Sequence, residues 1–212
     1  MIFRLAALSI LCLALHGIAP ADAYNNGPIL GTAQAYFVDK FWVTDSFQPN
    51  VSSITSLSFG AWTATGTTPA TVDWALGTSQ FGSEIGSGFA NMGVNLTSVL
   101  LCHSGALFNG GICGAGLGYD VYAVTVSLKQ GFTVTPGQTY WLTLTHAANQ
   151  FDGDDGWDVN FGPSEAWLES KWDPIPSESF AINPVTVPEP GSITLFASTI
   201  LGMLTALRRK RQ

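Results

Sequence analysis

The densest set of side chains able to do chemistry is one short run, Asp152-Gly153-Asp154-Asp155-Gly156-Trp157-Asp158, with four carboxylates and an indole in seven residues. Carboxylates crowded beside glycines suit a hard cation such as Ca²⁺, which takes about six to eight oxygens. The spacing departs from an EF-hand loop, whose acids alternate ahead of its glycine and which closes on a glutamate. Calcium is thus a candidate cofactor for Asp152, Asp154, Asp155 and Asp158, set against a solvated acidic turn whose aspartates bond nearby amides. Trp157 adds a second chemistry. An apolar platform rimmed by carboxylates and amides is how a protein holds a sugar ring, so the same loop is the candidate centre of a glycan site.

Other chemistry-bearing residues are scattered. Glycoside hydrolysis needs two carboxyl groups about 5 to 9.5 Å apart. Asp73, Asp120, Asp158, Glu165 and Glu169 could supply them, but no motif selects a pair. His103 and His146 would need a neighbouring nucleophile, and no Gly-x-Ser-x-Gly element places one. The expectation is a protein without catalysis. Seven tryptophans are too many for the core alone. Trp74 runs in phase with Val72 and Leu76 and should be buried, whereas Trp141, out of phase with Tyr140 and Leu142, and Trp157, beside the acidic loop, should be partly exposed.

The elements that must position these residues are strands. Val72, Trp74 and Leu76 alternate with Thr71, Asp73 and Ala75, and Tyr122, Val124, Val126 and Leu128 alternate with Val121, Ala123, Thr125 and Ser127. Tyr140, Leu142 and Leu144 alternate with Trp141, Thr143 and Thr145 after the turn Pro136-Gly137. A period of two with turn residues between segments reads as antiparallel sheet. Residues 35–47, 54–62, 92–101 and 157–161 are further candidates. The economical fold is all-β, an antiparallel β-sandwich of the jelly-roll kind occupying residues 24–186.

Both ends differ from this body. Arg4, an apolar run from Leu5 to Leu15 and a close on Ala21-Asp22-Ala23 form a secretory signal peptide, residues 1–23, with cleavage after Ala23. The lipoprotein reading of Cys12 fails because the large Leu11 precedes it. In the exported body, three lysines face thirteen carboxylates for a formal charge of −10, which excludes nucleic-acid binding. Cys102 and Cys113 form an even pair, read as a disulfide; a metal pair with His103 is the sharper alternative.

At the C-terminus, Val187-Pro188-Glu189-Pro190 leads into an apolar span, 192–207, and then Arg208-Arg209-Lys210-Arg211. As a helix the span would reach about 24 Å, slightly short of a hydrocarbon core, with the basic residues held cytoplasmic. In this three-part order the tail resembles the bacterial PEP-CTERM sorting signal, known also as the ice-binding protein C-terminal domain, over residues 187–212. The resemblance implies an exosortase-type membrane protease as partner, transient anchoring in the inner membrane, and delivery of the body to the cell envelope or an exopolysaccharide matrix. The body more loosely resembles the choice-of-anchor domains that precede such tails, through Asp45-Ser46-Phe47, the strand from Pro136 to Leu144 and the stretch from Trp157 to Ser164. It implies a structural or adhesive surface domain; a glycan-binding module and a secreted glycoside hydrolase are the alternatives. Ice binding is not expected, because Thr63-Ala64-Thr65 and Thr143-Leu144-Thr145 do not extend into a ladder.

Overall fold

The alternation along residues 71–76, 121–128 and 140–145 is realised as strands that each turn one row of side chains into a common core. The computed structural model describes residues 22–151, 153–170 and 173–183. The expected signal peptide up to Ala21, the expected sorting tail and the helix expected over 192–207 lie outside the described residues, as do Asp152, Lys171 and Trp172. In chain order the strands are β1 (Tyr24–Asn25), β2 (Ala35–Phe37), β3 (Val43–Phe47), β4 (Ser53–Ala64), β5 (Pro69–Gly77), β6 (Gly86–Asn91), β7 (Leu96–Cys102) and β8 (Leu107–Phe108). Then follow β9 (Gly111–Ile112), β10 (Tyr119–Thr133), β11 (Tyr140–Asn149), β12 (Asp155–Asp158), β13 (Ala166–Leu168), β14 (Asp173–Ile175) and β15 (Phe180–Ile182).

All ladders between these strands are antiparallel. The first sheet runs β1-β15-β4-β10-β7, with β12 also on β4 and β2 on β12; the second runs β14-β13-β3-β11-β5-β6. Leu57, Phe59, Val124 and Val126 from the first sheet join Val43, Phe47, Leu142 and Leu144 from the second in one buried cluster. Two sheets facing a shared core is the layering of a β-sandwich. The expected strand 35–47 divides into β2 and β3, and the expected strand 92–101 starts at Leu96, because Gly93 takes a positive φ of 75° in the turn out of β6.

The central strand β4 has an unequal surround. Along one side lies β10; along the other, β15 pairs Phe180 with Phe59 and β12 pairs Trp157 with Ala61. These two strands meet at Gly60, whose N–H donates to the Ser179 carbonyl at 3.2 Å. A Cβ there would fall 2.5 Å from Ser179 Oγ, 2.7 Å from Asp158 Cβ and 2.8 Å from Ile29 Cγ2, so the joint closes only around glycine.

On the outer face of the first sheet, Trp62, Cys102, Cys113 and Val121 form a second buried cluster. Cys102 at the end of β7 and Cys113 are joined as a disulfide, their Cα atoms 6.1 Å apart. Both sulfurs are consumed, which overturns the metal pair with His103. A cross-link over this separation contributes roughly 3 kcal/mol in the chain-entropy account.

Candidate functional site

Among the described residues, the side chains of the acidic loop take separate directions. Strand β12 has a period of two, so it sends Asp155 and Trp157 to one face and Asp158 to the other. Trp157 is fully buried, its indole N–H donating to the Ser179 carbonyl at 2.9 Å. It meets Phe59 and Phe180 edge-on, with ring centroids 6.3 and 5.8 Å apart. The exposed sugar platform expected at Trp157 is therefore corrected: the indole is core. Trp141, also expected to be partly exposed, is 9 % exposed.

The carboxylates of this loop go separate ways. Asp158 accepts from the backbone N–H groups of Leu30 and Gly31, both at 2.8 Å, and from the Trp62 indole at 2.7 Å, tying down the segment before β2. Asp155 is buried, accepts from Asn149 Nδ2 at 3.3 Å, and is pushed up to about 6 by burial. Asp154 remains outside and pairs with Lys40 at 2.6 Å. Among the described residues no group of three or more His, Cys, Asp or Glu side chains is placed to share an ion. Asp152 lies outside them.

A buried polar knot was not foreseen. Asn26 Nδ2 lies 2.6 Å from both Ser164 Oγ and Ser177 Oγ and 2.7 Å from the Glu178 carbonyl, and Asn160 Nδ2 donates to the Asn26 carbonyl at 2.7 Å. Asp45 Oδ2 accepts from the Glu178 N–H at 2.7 Å. The Glu178 carboxyl is fully buried, and neither of its oxygens has a hydrogen-bond partner among the described residues. Burial, then the nearby charges of Asp45 and Asp158, hold Glu178 well above the ordinary carboxyl range; burial pushes Asp45 up to about 6. An uncompensated buried charge costs several kcal/mol, so burial favours the neutral form of both groups. The knot is an element of the interior.

The arrangement open to a ligand is on the outer face of the second sheet. Pairing across β11, β5 and β6 sets Thr145 beside Asp73 and Asp73 beside Phe89. The β11–β5 register shifts after Thr145, and His146 there has a positive φ of 46°. This bulge turns the imidazole onto the same face, where Nδ1 lies 3.1 Å from Asp73 Oδ2. Trp42 stands edge-on to that imidazole at 6.5 Å and is 37 % exposed; Phe89 is 56 % exposed. Together with Ser87 and Thr145 these four side chains line a cavity of about 360 Å³. The Thr145 hydroxyl is buried with no partner among the described residues. Two aromatics, a carboxylate, an imidazole and two hydroxyls thus border one concave site, the composition that grips a polyhydroxylated ring.

Asp73, His146 and Trp42 each carry a signal in sequence, but nothing there links them. The bulge that aims His146 and the register that brings Phe89 alongside are tertiary facts. No family model, no curated protein and no solved structure matches the chain. Among the described residues no helix is long and apolar enough to cross a membrane.

Proposed function

We propose that this is a non-catalytic, adhesive domain of an exported bacterial surface protein, and that it holds extracellular polysaccharide in the groove of Trp42, Asp73, Phe89 and His146. The groove carries this reading: exposed aromatic side chains stand beside an Asp–His pair, Ser87 and Thr145 on the outside of the second sheet. A jelly-roll-like β-sandwich commonly presents such a face. Among the described residues Asp73 is the one carboxylate in the lining, which favours binding over hydrolysis, since the latter takes two.

Replacing Trp42 by alanine is expected to weaken polysaccharide binding by roughly 1 to 3 kcal/mol, by analogy with other aromatic stacking, while leaving the melting transition in place. Calorimetric titration with isolated exopolysaccharide measures the first and thermal denaturation the second. Wild-type protein that binds no such polysaccharide, or a Trp42→Ala variant that binds as well as wild type, would remove the groove from consideration.

Export and sorting belong to the same proposal. They rest on the signal peptide, the Val187-Pro188-Glu189-Pro190 motif, the apolar span and the terminal basic cluster, which together fit handling by an exosortase-type protease and delivery to the envelope or matrix. The intact mass of the extracellular form should correspond to a start at Tyr24 and an end near Val187 to Pro190. Recovery of Arg208 to Gln212 on the mature extracellular protein contradicts this reading.

A further inference from the structure

Strand β7 is an edge. It pairs with β10 on one side and with no other strand among the described residues on the other, so a row of backbone N–H and C=O groups faces outward. Proteins ordinarily guard such an edge with lysine, proline, inward-pointing charge or a cover. This one has neither lysine nor proline: β7 reads Leu-Thr-Ser-Val-Leu-Leu-Cys, and the 35 residues between Glu84 and Asp120 contain no Asp, Glu, Lys or Arg. Apolar side chains stand exposed along the same stretch, with Val99 at 65 %, Leu107 at 84 % and Leu117 at 72 %.

We propose that β7 is the pairing edge of a homodimer, two copies joining their first sheets through antiparallel β7–β7 contact centred on Val99. Charge selects the occupant. A body of formal charge −10 repels its own copies at most approaches, and this stretch offers a side where two copies meet without opposing carboxylates. A two-fold axis through the middle of one strand is self-complementary, because each copy supplies the same residues to the other. Strand β1 forms the opposite edge of this sheet, four strand spacings or about 19 Å from β7. The proposal is independent of the groove and of polysaccharide.

The test uses the full-length chain in detergent. Sedimentation velocity across a concentration series should give a dimer whose dissociation constant rises by at least about tenfold in Val99→Lys, since the axis sets the two lysines side by side. Val99 is exposed, so the variant should melt as wild type does. In a Cys12→Ser background, Val99→Cys should oxidise to a covalent dimer and Phe161→Cys, exposed elsewhere, should not. A wild-type chain that is monomeric at every concentration overturns the proposal. So does a dimer that Val99→Lys leaves intact, which would place the association elsewhere, for instance in the apolar 192–207 stretch.

Discussion

Trp157→Ala is expected to cost about 3 to 5 kcal/mol of folding stability, the usual penalty for emptying a large aromatic site in a core. The indole is fully buried between Phe59 and Phe180. Its N–H donates to the Ser179 carbonyl in the segment leading into β15, which the Gly60 N–H also reaches, so the truncation leaves a cavity and removes one of that carbonyl's donors. Set against a typical total of about 5 to 15 kcal/mol, this is a large share of the whole, and at the low end of that range it is enough to unfold much of the population. Urea denaturation with tryptophan fluorescence measures it. A loss below about 1 kcal/mol would mean that the indole is not packed as described. The contrast with Trp42→Ala is sharp: the exposed residue should change affinity without changing stability, and the buried one the reverse.

The protein is also expected to be more stable near pH 4.5 than near pH 8. Burial pushes Asp45 and Asp155 each up to about 6 and holds Glu178 well above the ordinary range. Between the unfolded values near 4 and the folded ones, the native state binds more protons than the unfolded chain. This stabilisation is therefore full below about pH 4 and is lost as pH rises through the folded values. For Asp45 and Asp155 the difference corresponds to about 3 kcal/mol each, and Glu178 extends the loss to higher pH. Asp154, held low by its hydrogen bond from Lys40, works in the opposite direction but is largely exposed and contributes little. Glu178→Gln keeps the shape and cannot ionise, so it should raise stability at pH 8 and leave it nearly unchanged at pH 4.5. Denaturation free energies measured from pH 4 to 8 on both proteins give the comparison. A wild-type protein more stable at pH 8 than at pH 4.5 would mean that folding does not raise these carboxyls above their unfolded values.

Where burial on one face of a strand sets the pattern, the chain announces its structure in sequence. Strands β5, β10 and β11 follow the alternation at Val72-Trp74-Leu76, Tyr122-Val124-Val126 and Tyr140-Leu142-Leu144, and all these side chains are buried. Cys102 and Cys113 were similarly legible as a pair. Trp157 misled because its neighbours are acidic: the charge density of residues 152–158 suggests solvent, yet pairing with both β2 and β4 buries strand β12. Glu178 carries no signal in sequence, being a charged residue type held inside by backbone hydrogen bonds on either flank. The groove was illegible as a site because its members come from β5, β6, β11 and the turn before β3, brought together by register and by one bulge.

Strand β15 has a consequence for the order in which the molecule can come together. Among the described residues it is the last strand, yet it lies between the first, β1, and the central β4, supplying hydrogen bonds to both. Contacts that span nearly the whole body close slowly, since chain entropy is lost before they form. A chain emerging N-terminus first therefore cannot finish its central sheet until residue 182 is free. Up to that moment one flank of β4 stays open at Phe59, so the centre of the sandwich is sealed by nearly the last residues of the body to be made.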